Sequence, residues 1–332
     1  MHATTIPIDR DVIPGVHRVS MPMPVRTEPV NCWVLEDASG AWVVDTGLNL
    51  DEGAAWQRVL AELQIPPDGV AGIVITHFHP DHVGAAAPLA EFTGAPVYAS
   101  ALTIEQFPGV WGAAAPAYNE RLSHHLIRHG MPVDRALHRE WYADFLDRVV
   151  PHVAMEEVPA ALHVGGRTWR VVHTPGHADG HICLHDALDD VLIAGDHLLE
   201  RISPTVGKFP DHAADPLGAY LASLERIASM NISRVLPGHG TPFAGASDRC
   251  EQLLEHHADR VRACVQAVES GGVALSTTWE IARTVFGPRL DPANERFAVS
   301  ETLAHLEYAT RAGAVRIENP GNAPVRWSSS RL

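Results

Sequence analysis

The segment THFHPDH, residues 76–82, sets His77, His79, Asp81 and His82 directly after the apolar run AGIVI. Imidazoles and a carboxylate are costly to bury unless something satisfies them, and a divalent ion does so. Three later loops each follow a stretch that reads as a strand: HTPGHADGH with His177, IAGDH with Asp196, and LPGHG with His239. A glycine stands just before each of these three candidates, where a residue without a side chain permits tight turning and close backbone approach. Zinc and similar ions take nitrogen from His and oxygen from Asp, and a catalytic site keeps one position open for water. The set exceeds the needs of one ion. His77 and His79 are two apart and share one side of an extended chain, while Asp81 and His82 follow Pro80 at a helix start, so one loop can serve two ions.

Elements that alternate between strand and helix must position these groups. Residues 15–47 give short strand-like runs with a turn at ASG, and Asp45 stands where WVVD stops. DEGAAWQRVLAELQ has helical periodicity, AGIVI is a buried strand, DHVGAAAPLAEFTG is a small-residue helix and PVYAS a further strand. That rhythm implies an α/β layer architecture. Residues 101–158 break it: they are helical in character, rich in Trp, Tyr and His, and look inserted. The sheet pattern resumes with LHVGG, RTWRVVHT, GHICLHD and DVLIAGD, followed by an amphipathic helix in DPLGAYLASLERIASM and a strand in ISRVLPGHG. From residue 247 the text reads as one long helix, two shorter ones and a small β wing, a winged-helix-like pattern. The expected division is therefore a catalytic domain over 1–246, carrying the helical insertion, and a C-terminal domain over 247–332.

The net charge of −15 argues against a phosphate-binding face, since nucleic-acid binders rely on clustered Lys and Arg. Lys208 is the only lysine, and residues 247–332 carry 10 basic and 11 acidic groups, so even that part is merely neutral. The four cysteines form no CxxC pair, and no run approaches the ~18 apolar residues of a membrane span. A soluble cytoplasmic protein is expected, without membrane or nucleic-acid partners. AHLEYATRAGAV offers an apolar stripe that could pack on the catalytic domain or mediate a homodimer.

WVVDTG, THFHPDH, TPGH, AGD and PGHG together, in this order, resemble the metallo-β-lactamase superfamily over residues 15–245. The resemblance implies an αββα sandwich with a dinuclear site along one edge of the two sheets. It implies that His77, His79 and His177 hold one ion, that Asp81, His82 and His239 hold the other, and that Asp196 bridges them. It further implies that Asp45 orients the ligands from behind. His173, His181 and His197 adjoin the ligands but read as structural histidines, and His124 and His125 as a solvated helix face.

Two such ions lower the pKa of a shared water toward neutrality and polarise a substrate carbonyl, so no protein nucleophile is required. By the same resemblance, Asp81 holds the hydroxide and passes a proton to the leaving group. Zinc is the first choice of metal, with iron and manganese also suited. The expected substrate is a small acyl compound, a thioester, ester or lactone, as in glyoxalase II and related acyl-thioester hydrolases. Alternatives are a phosphodiesterase or endoribonuclease of the same superfamily, a β-lactam hydrolase, and a metal-binding regulator without turnover. Trp111, Tyr118, Trp141 and Tyr142 of the insertion are candidates for an apolar cap, and Lys208 and Arg201 for contacts to an anionic part of the substrate.

Overall fold

A computed structural model describes residues 5–24, 28–137, 145, 147–271, 276–319, 321 and 324–330. Among them, seven strands form the first sheet in sequence order: β1 (Ile8–Ile13), β2 (Val16–Met21), β3 (Val30–Asp37), β4 (Gly40–Val44), β5 (Val70–Val74), β6 (Val97–Ala99) and β7 (Met155–Glu157). Hairpins make β1 to β4 antiparallel, and β4 to β7 are parallel. The crossovers contain helices α1 (Ala54–Leu63), α2 (Pro80–Val83), α3 (Ala86–Thr93), α4 (Ala101–Val110), α5 (Ala115–Arg128) and α6 (Val133–Ala136). The second sheet runs β12-β11-β10-β9-β8, from β8 (Ala161–Val164), β9 (Arg167–His173), β10 (Ile182–Asp186), β11 (Val191–Gly195) and β12 (Arg234–Pro237). Helix α7 (Pro216–Ala228) makes the crossover from β11 to the parallel β12.

The side-chain alternation of a strand explains the layering. In β3, Val30, Cys32 and Val34 point into a core shared with Trp56, Leu60 and Leu89 of the first helical layer. The intervening Trp33 and Leu35 point the other way, onto Trp169, Leu184 and Ile193 of the second sheet. β11 repeats the device, with Val191 and Ile193 facing the first sheet and Leu192 and Ala194 facing Leu217, Tyr220 and Leu224 of α7. Helix, sheet, sheet and helix are thus stacked as the expected αββα sandwich.

The chain continues as α8 (Ala246–Ser270), β13 (Ser276–Thr277), α9 (Thr278–Phe286), α10 (Pro292–Arg311), β14 (Val315–Ile317) and β15 (Arg326–Ser329). These strands form a third sheet in the order β13-β15-β14. Helix α9 starts with a reciprocal cap, in which the Thr277 hydroxyl accepts from the Glu280 amide and the Glu280 carboxylate accepts from the Thr277 amide. Cys264, Val268, Ile281, Leu303, Leu306 and Trp327 give this part a core of its own. In the middle of helix α10, from Glu295 to Leu306, each residue is buried except the half-buried Phe297. The apolar stripe of AHLEYATRAGAV therefore packs within the chain, with Ala304 joining the core of α7 and α8 and Leu306 that of the third sheet.

The helical stretch after β6 is shorter than the sequence suggests, because Met155–Glu157 is an edge strand of the first sheet. Its helices lean on the C-terminal part: the Trp279 amide donates to the His129 carbonyl at 3.0 Å and the Val325 amide to the Arg128 carbonyl at 2.7 Å. Arg135 pairs at 2.7 Å with Glu295, which is 1% exposed. No helix among the described residues is long and apolar enough to cross a membrane.

Candidate metal centre

The candidate ligands stand on loops at one edge of the sandwich, where the ends of β4, β5, β11 and β12 meet. Asp45 follows β4, His77 and His79 follow β5, Asp81 and His82 lie on α2, His177 lies between β9 and β10, Asp196 follows β11 and His239 follows β12. Backbone bonds join the two sheets here: the Ile182 amide donates to the Thr76 carbonyl at 3.0 Å and the Asn31 amide to Gly238 at 2.7 Å. Two glycines make the approach possible. A Cβ on Gly238 would lie 2.3 Å from Asp196 Oδ1, and one on Gly176, at φ +140°, would lie 2.3 Å from Tyr220 Cβ.

Three trios converge closely enough to share an ion: His77, His79 and His177; His77, His82 and Asp196; and Asp81, His82 and His239. His77 Nε2 and His79 Nδ1 are 3.0 Å apart. His177 Nε2 lies 3.7 Å from Asp196 Oδ2, and His239 Nε2 lies 3.6 Å from the same oxygen. His82 Nε2 is 3.5 Å from Asp196 Oδ1, and Asp81 Oδ2 is 3.2 Å from His239 Nε2. The Asp196 carboxylate thus stands between the two halves of the cluster.

Each of four imidazoles is aimed by a bond from its far nitrogen. His82 Nδ1 donates to Asp45 Oδ2 at 2.8 Å. His177 Nδ1 donates to the Thr205 carbonyl at 2.8 Å and His239 Nδ1 to the Pro29 carbonyl at 3.1 Å. The Thr76 hydroxyl donates to Asp45 Oδ2 at 2.8 Å, so its oxygen accepts from His77 Nδ1 at 3.0 Å. Asp45 also accepts from the Thr76 amide at 2.8 Å, and is 1% exposed at φ 60°. These bonds leave His82 Nε2, His177 Nε2 and Asp196 Oδ1 buried without a hydrogen-bond partner. Orphaned polar atoms turned toward one space, in a set of imidazoles and carboxylates, fit a divalent ion.

The electrostatics divide the cluster. Burial, with neighbouring imidazoles, holds His77 and His79 well below the usual histidine range. Burial also lowers His177, against the pull of Asp196. On the other side, burial disfavours charge on His82 and His239, yet the aspartates outweigh it, raising His82 and pushing His239 up to about 9. Burial works against the aspartates too, but His82 and His239 hold Asp81 at about 2 and Asp196 well below its ordinary value. One half therefore offers neutral nitrogen lone pairs and the other ionised carboxylates, whose pull keeps protons on His82 and His239 that an ion has to displace.

Of the neighbouring histidines, His181 is buried behind the site, held by Thr174 Oγ1 at 2.8 Å while its Nε2 accepts from the Asp196 amide at 3.2 Å. His197 is buried against Tyr220, and His173 is exposed. His124 is exposed, but His125 is half-buried and burial pushes it down to about 4, so the pair does not share one solvated face.

The proposed substrate contacts fare unevenly. Trp111 and Tyr118 are buried in the first core, and the Trp111 indole donates to the Phe78 carbonyl at 2.7 Å, so Trp111 supports the loop that carries the candidate ligands. Trp141 and Tyr142 lie outside the described residues. Lys208 Nζ donates to the carbonyls of Ala213 at 2.6 Å and His212 at 3.3 Å. Arg201 has its side chain 80% exposed and borders a cavity of about 90 Å³ with Glu28, Ile202 and His239. A wider groove of about 860 Å³, beside α3 and β7, contains none of the ligand residues. Thr76 and the carbonyls of Pro29 and Thr205 were not singled out by sequence. Thr76 stands inside the motif, but a main-chain carbonyl has no residue-type signature.

Residues 25–239 match the profile of the metallo-beta-lactamase superfamily. A solved metallo-beta-lactamase family protein from Thermus thermophilus is 33% identical, with a TM-score of 0.82, over 96% of this chain and 99% of that one. A probable metallo-hydrolase of Bacillus subtilis is 24% identical over 84% of this chain and 88% of its own length. An acyl-coenzyme A thioesterase of Gallus gallus is 27% identical over 70% of this chain and 80% of its own length. With this fold and this cluster, the chain belongs to the metallo-β-lactamase superfamily and is a metal-dependent hydrolase.

Proposed function

We propose that the protein hydrolyses a small acyl compound, with a thioester first and an ester or lactone next, at a centre of two divalent ions, zinc being the first choice. In this reading His77, His79 and His177 hold one ion, Asp81, His82 and His239 the other, and Asp196 both. The observation that carries it is the meeting of unpartnered His82 Nε2, His177 Nε2 and Asp196 Oδ1 beside Asp81 Oδ2. Likeness to an acyl-coenzyme A thioesterase supports the choice of acyl group. When bound, the ions supply Lewis acidity toward the carbonyl and a nucleophilic water near neutral pH.

The chain's own residues then position and move protons. Asp45 fixes the His82 ring and Thr76 the His77 ring, so each presents Nε2. Asp81 accepts a proton at a carboxylate oxygen and returns it to the departing thiolate or alkoxide. Arg201, at the rim near His239, meets an anionic part of the substrate. A nucleic-acid substrate is disfavoured by the net charge of −15. The test is turnover of acyl-glutathione and acyl-CoA thioesters by zinc-loaded protein. Thiol release that vanishes in His79→Ala is expected, and phosphodiester cleavage without thiol release contradicts the reading.

A further inference from the structure

The strap 199–215, between β11 and α7, passes from the metal cluster to the C-terminal helices. In its middle, between buried Pro204 and Val206, Thr205 turns its carbonyl to His177 Nδ1 at 2.8 Å. That bond fixes which nitrogen of His177 faces the other ligands. Three points on the C-terminal helices fasten the strap. Arg249 of α8 donates to the Leu199 carbonyl at 2.7 Å and to Ile202 at 2.9 Å. The Lys208 amide donates to the carbonyl of Ser300 in α10 at 2.9 Å. Arg311, at the end of α10, donates to the Ala214 carbonyl at 2.5 Å and pairs with Asp215 at 3.5 Å. The Lys208 ammonium closes the strap on itself through His212 and Ala213. A Cβ on Gly207 would lie 2.6 Å from the strap's own Phe209 ring and 3.1 Å from Ser300 Cβ of α10, so a residue without a side chain lets the strap fold here.

We propose that Arg249 and Arg311 are positioning residues for the metal centre, holding the strap so that the Thr205 carbonyl keeps His177 aimed at the ion it shares with His77 and His79. The C-terminal helices thereby complete the site they do not touch. This rests on His177 being a ligand, as set out above. A carbonyl anchored at both ends of a short strap keeps its direction, whereas a loose one lets the imidazole turn or exchange tautomers. Outer partners of this kind typically contribute ~10–100-fold in metal affinity.

The experiment is a cobalt(II) titration of metal-free, full-length protein, read from ligand-field absorbance and equilibrium dialysis. It compares wild type, His177→Ala, Arg311→Ala, Arg311→Lys and the double variant Arg249→Ala/Arg311→Ala, with melting temperatures of the metal-free forms alongside. Wild type is expected to take up two equivalents and His177→Ala to lose one. The double variant should bind that same equivalent about 10-fold more weakly, with the other unchanged. Arg311→Ala, at a side chain 44% exposed, should show a smaller loss in the same equivalent, and Arg311→Lys, which keeps a donor and the charge, should recover it. Equal weakening of both equivalents in step with a lower melting temperature would overturn the positioning role, as would wild-type affinities in the double variant. Two tight equivalents in His177→Ala would instead overturn the ligand assignment, and the inference with it.

Discussion

In the metal cradle, loops from separate strand ends bring seven His and Asp side chains together and leave several of their polar atoms unpartnered. In the C-terminal part, Cys264, Val268, Leu303, Leu306 and Trp327 close an apolar core around helices and a small sheet. The first region is the one that an ion would complete in the proposed reading. The second packs around that apolar core and holds neighbours: the inserted helices through Arg135 and Glu295, and the strap through Arg249 and Arg311. A substitution should therefore damage either ligation or stability, according to region, with the strap as the place where the two meet.

Metal removal should separate the two regions most sharply. Dialysis against a chelator should abolish turnover and added zinc restore it, while the helical circular dichroism of the whole chain stays unchanged; activity that survives the chelator would erase the distinction. Asp81→Ala comes next: turnover should fall by ~100- to 10,000-fold with at least one equivalent of metal retained, measured by steady-state kinetics and metal content. Asp45→Ala removes the acceptor of both Thr76 and His82, and should weaken metal binding by ~10–100-fold in competition with a chromophoric chelator.

In the C-terminal region the expected effects are on folding. Leu303→Ala should cost about 2–5 kcal/mol in urea unfolding, with metal stoichiometry unchanged. The smallest effect concerns Glu301, which is 9% exposed in α10 and which burial raises to about 7, with Arg260 opposing. Below its unfolded value both states keep the proton; above pH 7 both have lost it and the folded state carries a buried charge. Its contribution therefore falls as pH rises from about 4.5 through 7, by on the order of 3 kcal/mol at most. Glu301→Gln should remove that slope, so variant and wild type should match near pH 4.5 and diverge at pH 8 in denaturant midpoints.

How much the sequence could reveal differed between the same two regions. His77, His79, Asp81, His82, His177, Asp196 and His239 stood out because ligating residue types follow apolar runs and three of them follow a glycine. What packs across long separations did not. Trp111 reads as a cap residue from composition, but its indole is bound to the Phe78 carbonyl below the ligand loop. Lys208 reads as a free cation, but strap carbonyls occupy it. The helical stretch after β6 hides the edge strand Met155–Glu157, because three residues beside many helical ones give no periodicity. Main-chain acceptors such as those of Thr205 and Pro29 depend on where the backbone runs.

The acyl-hydrolase reading is tested by a parallel turnover assay of zinc-loaded protein and its His79→Ala variant on acyl-glutathione, acyl-CoA, a simple lactone and bis(p-nitrophenyl) phosphate. Thiol release or lactone opening by the wild type, lost in the variant, is the predicted result. Cleavage of the phosphodiester alone would contradict it.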